Sequence, residues 1–269
     1  MKRIKFYILQ LGRLGADPTH LSPGSFGPTA SNPSVTVNFD WIPCDAILVE
    51  HPAAGKILID CGSHPKAMKG VWPEIFHEIA PYYDDGKTME QQLALCGAKP
   101  ENIKTVILSH MHCDHTGYLY LFPHANVYVH RTEFAAAMVS AFETLENHGL
   151  YLRTDLNIPV EKYTLIDGDT EVCEGIKMLH SPGHTMGVCA ILVELESGTV
   201  IFTRDVCHTA MNYGPPAMCL APGLMTDSAA YVNSIERIRK IAAETNATVI
   251  FGHDKAQYLT MKYAPEYYE

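Results

Sequence analysis

A cluster of histidines and one aspartate follows directly after an apolar run that is typical of a buried strand. Residues 105–109 read TVILS, and residues 109–117 continue as SHMHCDHTG. Four side chains that can bind metal therefore fall within six positions: His110, His112, Asp114 and His115. In an extended strand end, His110 and His112 point to one side, while the other two follow in the turn and can face a second centre. Such donors suit borderline divalent cations such as zinc, and two adjacent ions are the natural arrangement.

Three further candidate ligands stand in the same context, each at the end of a predicted strand or in the turn after it. His184 lies in HSPGHTMG after the strand IKMLH, Asp205 follows TVIFT, and His253 follows TVIFG. The Pro-Gly pair before His184 forms a turn that can direct its imidazole sideways. Alone, the aspartate would more often cap a helix and each histidine would more often be a surface residue. Together with the first cluster, we expect them to complete one ligand set.

Strand-length apolar runs recur along the chain and alternate with helical segments. The expected strands lie at about 3–9, 46–51, 56–60, 105–109, 126–130, 162–166, 176–180, 188–195, 199–203 and 248–252. The expected helices lie at 88–97 and 131–149, which stop at Gly97 and Gly149, and at 226–244, which Thr226 or Asp227 caps. Both halves end in a helix, a strand and a histidine, with no linker between them. We expect one α/β domain over residues 1–269, with helices on the outer faces of two packed sheets.

Residues 11–44 contain a long stretch that is rich in Gly, Pro, Ser and Thr and has no hydrophobic period of its own. It is too long for a plain connection. Long loops within compact domains often act as lids or binding loops, and a simple disordered excursion is the alternative. We interpret residues 11–44 as a substrate lid, and we expect specificity to lie there and in residues 214–225.

The order of these ligands resembles that of the metallo-β-lactamase-fold hydrolase superfamily. The shared pattern is HxHxDH, a His in SPGHT, an Asp after a strand and GHD near the C-terminus. The sequence is most similar to the N-acyl-homoserine lactone lactonases, since the ending IFGHDKAQYLTMKYAPEYYE looks like that group's tail. The pyridoxolactone-cleaving lactonases (pyridoxolactonases) are similar too. The resemblance covers essentially the whole chain.

The resemblance implies an αββα sandwich, the metallo-β-lactamase fold, built from two mixed β-sheets. It implies a dinuclear metal-dependent hydrolase, a lactonase that opens a small lactone ring with a metal-bridging hydroxide as nucleophile. One metal would be held by His110, His112 and His184, and the other by Asp114, His115 and His253, with Asp205 bridging both. Asp114 would also carry a proton to the leaving alkoxide. Lactonases of this kind are often dimers, so the resemblance also implies a homodimer.

The sequence departs from the lactonase pattern three residues after the bridging aspartate. The acyl-homoserine lactonases have a tyrosine there, whose hydroxyl assists the substrate carbonyl, whereas this chain has His208. A histidine can also donate a hydrogen bond. We therefore expect either that His208 replaces the tyrosine as a catalytic residue or that the substrate is not an acyl-homoserine lactone. An exposed His208 without a role is the remaining alternative.

Three nearby positions refine the expected chemistry. Diiron redox members of the superfamily carry a Glu where His112 stands, so an imidazole there favours zinc-type hydrolysis, with Fe, Mn or Co left open. Cys113 lies between ligands, and we expect it to pack rather than to bind metal. Asp60, in LIDCG, resembles the family's Asp-x-Gly turn, where it would orient a ligand imidazole. A plain turn aspartate is the alternative.

Two other functions compete with lactone hydrolysis. A thioester hydrolase of the hydroxyacylglutathione type, or a hydrolase of another small ester, would use the same centre. The hydroxyacylglutathione family carries a further C-terminal helical region with basic residues, whereas 16 residues follow His253 here. A catalytically silent metal-binding protein is disfavoured because all seven ligand positions are filled.

Charge and composition exclude several classes of partner. Thirty acidic and twenty basic residues leave a net charge of −10, which provides no basic surface for nucleic acid or an anionic membrane. No run approaches the roughly 20 apolar residues of a membrane-spanning helix. MKRIKFYILQLG lacks the unbroken apolar run of a secretory signal, and eight scattered cysteines then favour free thiols. We expect a cytoplasmic protein whose partner is a small ester or lactone.

Overall fold

The computed structural model describes residues 3–23 and 27–269. Within these ranges, seven strands form the first sheet: β1 (Lys5–Ala16), β2 (Asp40–His51), β3 (Gly55–Ile59), β4 (Tyr82–Tyr83), β5 (Ile103–Ile107), β6 (Asn126–His130) and β7 (Lys162–Ile166). Their spatial order is 4-1-2-3-5-6-7. The β4–β1–β2–β3 part is antiparallel, and β3, β5, β6 and β7 run parallel.

Five strands form the second sheet: β8 (Thr170–Cys173), β9 (Ile176–His180), β10 (Cys189–Leu195), β11 (Gly198–Arg204) and β12 (Thr248–Phe251). Their spatial order is 12-11-10-9-8. The pairs are antiparallel except β11 with β12, which is parallel because α8 crosses over between them. Each sheet therefore mixes the two directions, as expected.

The α-helices of the described residues are mostly short. They are α1 (Pro18–Leu21), α2 (Phe76–Ile79), α3 (Met89–Leu95), α4 (Cys113–Thr116), α5 (Arg131–Phe142), α6 (Arg153–Leu156), α7 (Ala210–Tyr213), α8 (Ser228–Thr245) and α9 (Lys255–Tyr258). Asp227, one of the two predicted caps, accepts the Ala230 N–H at 2.9 Å and starts α8. Among these residues, no helix combines the length and the apolar character needed to cross a membrane.

The two sheets pack face to face around a shared apolar core. Phe6 of β1 and Phe202 of β11 meet edge to face, with ring centroids 4.9 Å apart. On the outer face of the second sheet, Ile238 and Ala242 of α8 pack against Ile201. Helices α3 and α5 cover the outer face of the first sheet. The predicted αββα sandwich is confirmed.

The strands at all ten predicted places are present, but the predicted loop at 11–44 is wrong at both ends. Strand β1 continues to Ala16 and β2 begins at Asp40, because the two strands pair again after a bulge, from Arg13 with Pro43 to Ala16 with Asp40. Gly12, one of the glycines that suggested a loop, instead lies where β4 pairs with β1. Gly12 has φ +105°, and a Cβ there would lie 2.1 Å from the Tyr83 carbonyl oxygen. Residues 24–26 of the predicted lid lie outside the described residues.

Two other boundaries differ from the sequence prediction. The helix expected to reach Gly149 ends at Phe142. The polar segment after it makes side-chain hydrogen bonds instead: His148 bonds Glu143 and Thr144, and Asn147 donates to the Val71 carbonyl. These local bonds compete with helix continuation. The short strands β4 and β8 were not predicted, because two to four residues carry too little periodicity.

Candidate metal centre

The seven predicted ligands converge at one edge of the sandwich, on four separate segments. His110 follows β5, His112 caps α4 at its N-terminus, and α4 itself carries Asp114 and His115. His184 lies in the turn between β9 and β10. Asp205 directly follows β11, and His253 follows β12 after one residue. Strand ends that are far apart in the sequence thus bring the predicted ligands close together in the fold.

Three imidazoles form the first donor set: His110, His112 and His184. The Nδ1 atom of His112 lies 3.2 Å from Nε2 of His110 and 3.0 Å from Nε2 of His184. Ligand nitrogens of a tetrahedral zinc ion, at 2.0–2.1 Å from the metal, are about 3.3 Å apart. Both distances are therefore close to the spacing that one ion requires.

Two imidazoles and two carboxylates form the second set: Asp114, His115, Asp205 and His253. Nε2 of His115 and Nε2 of His253 lie 3.2 and 3.1 Å from Oδ1 of Asp205. The same nitrogens lie 3.4 and 3.6 Å from Oδ2 of Asp114. A mixed set of oxygen and nitrogen donors of this kind suits zinc and neighbouring divalent metals.

Asp205 lies between the two sets and presents one oxygen to each. Its Oδ1 faces His115 and His253, whereas its Oδ2 lies 3.2 Å from Nε2 of His184 and 3.8 Å from Nε2 of His110. Oδ1 of Asp205 and Nε2 of His115 are fully buried, and neither has a hydrogen-bond partner among the described residues. A buried polar atom without a partner costs about 1–3 kcal/mol, so these atoms fit a bound cation.

The charges of the centre favour cations. Burial lowers the pKa of His184 to about 4 and holds the pKa values of His110 and His112 well below the ordinary range, so these imidazoles stay neutral, the form that binds metal. Burial acts in the same direction on His115, but Asp114 and Asp205 outweigh it and raise its pKa. The carboxylates therefore attract positive charge, which a metal ion can supply in place of protons.

In three of the predicted ligands, the ring nitrogen that faces away from the centre makes a hydrogen bond. The other ring nitrogen, which faces the centre, can then bind a metal ion. Nδ1 of His253 donates to the Pro43 carbonyl at 2.9 Å, and Nδ1 of His184 donates to the Leu224 carbonyl at 2.7 Å. Nδ1 of His110 lies 3.2 Å from the Ser109 hydroxyl. Because these partners accept the Nδ1 proton, they fix the tautomer whose Nε2 can bind metal.

Asp60 performs the same task for His115, so the alternative of a plain turn aspartate is wrong. Its carboxylate is fully buried and accepts the Nδ1–H of His115 at 2.8 Å. It also accepts the backbone N–H and the hydroxyl of Ser109 and the Nε–H of Arg204, at 2.7–2.8 Å. Burial raises the pKa of Asp60, but Arg204 and His115 outweigh this effect and lower it, so the carboxylate stays ionised.

His208 is buried, so the alternative of an exposed residue is wrong. Its Nε2 lies 3.1 Å from Oδ2 of Asp205, and the Tyr231 hydroxyl lies 3.5 Å from its Nδ1. With His184 and Asp205 it forms a third group of donors. A substrate contact by His208 stays a prediction.

Two buried charged residues of the centre were not predicted. Arg204, at the end of β11, joins Asp60 to Asp45, and Glu133 bonds the segments that carry the first donor set. In the sequence, Glu133 is an ordinary acid in the first turn of a helix and Arg204 is one cation after a strand, so no local signal distinguishes them. Cys113 packs in an apolar cluster with Leu14 and Trp72 and belongs to neither donor set, as predicted.

A mostly apolar pocket opens above the centre. Its floor contains side chains of the predicted ligands together with His208, and its walls include Leu14, Ile42, Trp72 and Phe76. Residues of the predicted lid, among them Ala16 and Leu21, also line it, whereas residues 214–225 contribute Leu224 alone. The pocket can therefore hold a small molecule with an apolar part next to the donor sets.

Comparisons with known proteins find relatives over the whole chain. The sequence profile of the Metallo-beta-lactamase superfamily matches residues 39–253. The N-acyl homoserine lactonase AiiB of Agrobacterium fabrum is 31% identical over 268 residues, which cover 96% of each chain. An N-acyl homoserine lactonase of a Bacillus species is 33% identical over 218 residues, covering 79% of this chain and 82% of the relative.

Solved structures of the same kind superpose on the full chain. One is an N-acyl homoserine lactone hydrolase with the product N-hexanoyl-L-homoserine bound at its catalytic metal centre. It has a TM-score of 0.82 and 25% identity and covers 100% of both chains. A variant of Bacillus thuringiensis AiiA with N-decanoyl-L-homoserine at its active site has a TM-score of 0.81 and 26% identity, again over 100% of both chains.

Proposed function

The chain belongs to the metallo-beta-lactamase superfamily and, within it, to the N-acyl homoserine lactonases, and we propose that it opens the lactone ring of N-acyl homoserine lactones. The observation that carries the proposal is the position of Asp205, whose two oxygens face two adjacent donor sets on the floor of an apolar pocket. That arrangement supports a centre of two divalent cations, and its mixture of imidazole and carboxylate donors supports zinc, with iron, manganese and cobalt as the alternatives.

Two bound cations would polarise the ester carbonyl and lower the pKa of a water molecule, so that hydroxide is present near neutral pH. The chain's own residues would carry the proton that this reaction releases. Water adds its oxygen to the carbonyl carbon, the ring C–O bond breaks, and the released alkoxide oxygen needs the proton that the water lost. Asp114 lines the pocket and is the more accessible carboxylate of the second set, which supports its role as the carrier of that proton.

His208 stands where the lactonases have a tyrosine, and its position supports the proposal that it replaces that tyrosine as a hydrogen-bond donor. The ring lines the pocket, and Nε2 is held at 3.1 Å from Asp205. If the Tyr231 hydroxyl donates to Nδ1, the proton of the neutral ring lies on Nε2. His208 would then donate that proton as a hydrogen bond to the substrate carbonyl oxygen, as the phenol would.

The apolar wall supports an acyl chain beside the lactone, with residues 14–21 as the part of the predicted lid that contacts it. We further propose that the protein acts in the cytoplasm, where its eight cysteines would remain the free thiols that they are here. We also propose the homodimer that the family resemblance implies.

A substrate panel with metal analysis tests the function. Purified protein is assayed on N-acyl homoserine lactones of several chain lengths, an aromatic lactone and S-lactoylglutathione, and its metal content is measured on the same sample. We expect rapid opening of the acyl-homoserine lactones and two metal ions per chain. Rapid thioester hydrolysis without lactone opening would assign the hydroxyacylglutathione type of activity instead, and fewer than two ions in an active sample would contradict the dinuclear centre.

A further inference from the structure

We infer that Glu133 is a positioning residue that holds the first donor set together, an inference that rests on the metal centre of the proposed function. The Glu133 side chain lies in the first turn of α5 and is completely buried. It belongs to none of the donor sets. A buried carboxylate is retained only where several donors satisfy it, so its partners indicate what it does.

Each partner of Glu133 lies on a segment that carries or contacts a ligand imidazole. Oε1 accepts the backbone N–H of Met111, the residue between His110 and His112, at 2.9 Å. Oε2 accepts the hydroxyl of Thr185, the neighbour of His184, at 2.5 Å. One carboxylate therefore joins the two segments that supply all three imidazoles of the first set.

A third hydrogen bond extends this connection to the ring of His112. The Tyr151 hydroxyl donates to Oε1 of Glu133 at 3.0 Å, and the Tyr151 ring packs on His112 with centroids 4.8 Å apart. This contact restrains the imidazole whose Nδ1 is the central nitrogen of the first set.

The turn that carries His184 is also packed tightly against the backbone of Glu133. A Cβ at Gly187 would lie 2.4 Å from the Glu133 nitrogen, so only glycine allows this approach. The hydrogen bond to Thr185 and the close contact at Gly187 hold both sides of the turn against α5. The position of His184 relative to His110 and His112 is thus set through Glu133.

Asp60 provides the corresponding support for the second set through its hydrogen bond to His115. The hydrogen bonds of Glu133 given above reach none of the four residues of the second set. Loss of the Glu133 carboxylate should therefore weaken one metal site and spare the other. Loss of a group that orients metal ligands typically lowers metal affinity about 10–100-fold.

The test measures zinc affinity rather than activity. Metal-free protein is titrated with Zn²⁺ in competition with a chromogenic chelator, with and without Glu133→Gln. The substitution keeps the shape and one acceptor oxygen but removes the charge and turns an amide toward Thr185. A His253→Ala background leaves the first set intact, and a His112→Ala background leaves the second set intact.

We expect Glu133→Gln to weaken zinc binding about 10–100-fold in the His253→Ala background and by less than about threefold in the His112→Ala background. Equal losses in both backgrounds, or no loss in the first, would overturn the inference. Ala137→Gly is the matched control because it weakens the same helix at a buried position and removes no side-chain hydrogen bond to either ligand segment. An equal, selective loss in this control would assign the effect to helix stability.

Two milder variants keep the inference testable if Glu133→Gln does not fold. Tyr151→Phe and Thr185→Val each remove one hydrogen bond to the carboxylate, and each should weaken zinc binding in the His253→Ala background alone. Zinc binding by the parent protein distinguishes a failure of the proposed function from a failure of the role of Glu133. If it binds no Zn²⁺, the proposed function fails, whereas normal binding of two ions by both the parent and the variants refutes the role of Glu133 alone.

Discussion

Replacement of Asp60 by Asn should lower both the stability of the fold and the affinity of the second donor set for metal. The Asp60 carboxylate is fully buried and accepts four hydrogen bonds, one of them from a fully buried guanidinium, that of Arg204. The Asn side chain keeps the shape but leaves Arg204 with the carboxylate of Asp45 alone. Removal of one partner of a buried ion pair costs about 3–5 kcal/mol because the other charge stays buried.

The expected loss can be converted into a melting temperature. Unfolding entropy near the midpoint is about 2.1 cal/mol/K per residue, or about 0.56 kcal/mol/K for 269 residues, so Tm should fall by about 5–9 °C. The effect should depend on pH. The folded-state pKa of Asp60 is lowered, so its ionised form stabilises the fold above the unfolded value near 4, and this stabilisation is lost as the pH falls through the folded pKa. The difference between the parent and the variant should therefore shrink in acid.

Asp45→Asn is the control that separates stability from ligand orientation. Asp45 also binds Arg204, but it is Asp60 that accepts the hydrogen bond from His115. Thermal unfolding of the metal-free proteins should show a loss in both variants. Zinc titration in the His112→Ala background should show a loss of about 10–100-fold for Asp60→Asn alone. If Asp60→Asn binds zinc as tightly as Asp45→Asn does, Asp60 does not orient His115 and the reasoning is refuted.

Three further substitutions test other parts of the site and the fold. His208→Phe should lower kcat/KM for the lactone about 100-fold, the loss typical of one donor to a developing oxyanion, while zinc stoichiometry stays at the parent value; an unchanged kcat/KM would dismiss the role of His208. Asp114→Asn should lower kcat about 10²–10⁴-fold through the missing proton carrier. Metal analysis must accompany that measurement, since full turnover at full metal loading would exclude proton transfer by Asp114. Asp155→Asn should stabilise the protein at pH 7 by a few kcal/mol, because burial raises the pKa of Asp155 to about 8 and the unfolded chain releases the proton near pH 4. This gain should disappear between pH 7 and pH 4 in urea unfolding, and a gain that is independent of pH would contradict a protonated Asp155.

The sequence predicted most of the architecture because its signals are local. Apolar runs of five to eight residues marked the core strands, and Asp227 marked the start of α8. The errors arose where local composition and tertiary pairing disagree. Gly12 and Gly15 suggested a loop, yet Gly12 allows the close approach of the β4 backbone to β1. Residues 143–149 suggested a helix, yet their side chains bond one another and neighbouring segments instead.

The sequence by itself determined which side chains can bind metal, since a histidine or aspartate after a buried strand must lie at the end of a sheet. The resemblance also implied how these donors divide into two sets, whereas only the tertiary structure decided that Arg204 and Glu133 support them. Asp60 and Arg204 are 144 positions apart, and Glu133 and Thr185 are 52 apart. The physical reason is that a charged side chain can be buried only where distant segments supply its partners, and the pairing of those segments is a property of the whole fold. For the same reason, the sequence left two alternatives for Asp60, and the contacts of His115 and Arg204 with its carboxylate decide between them.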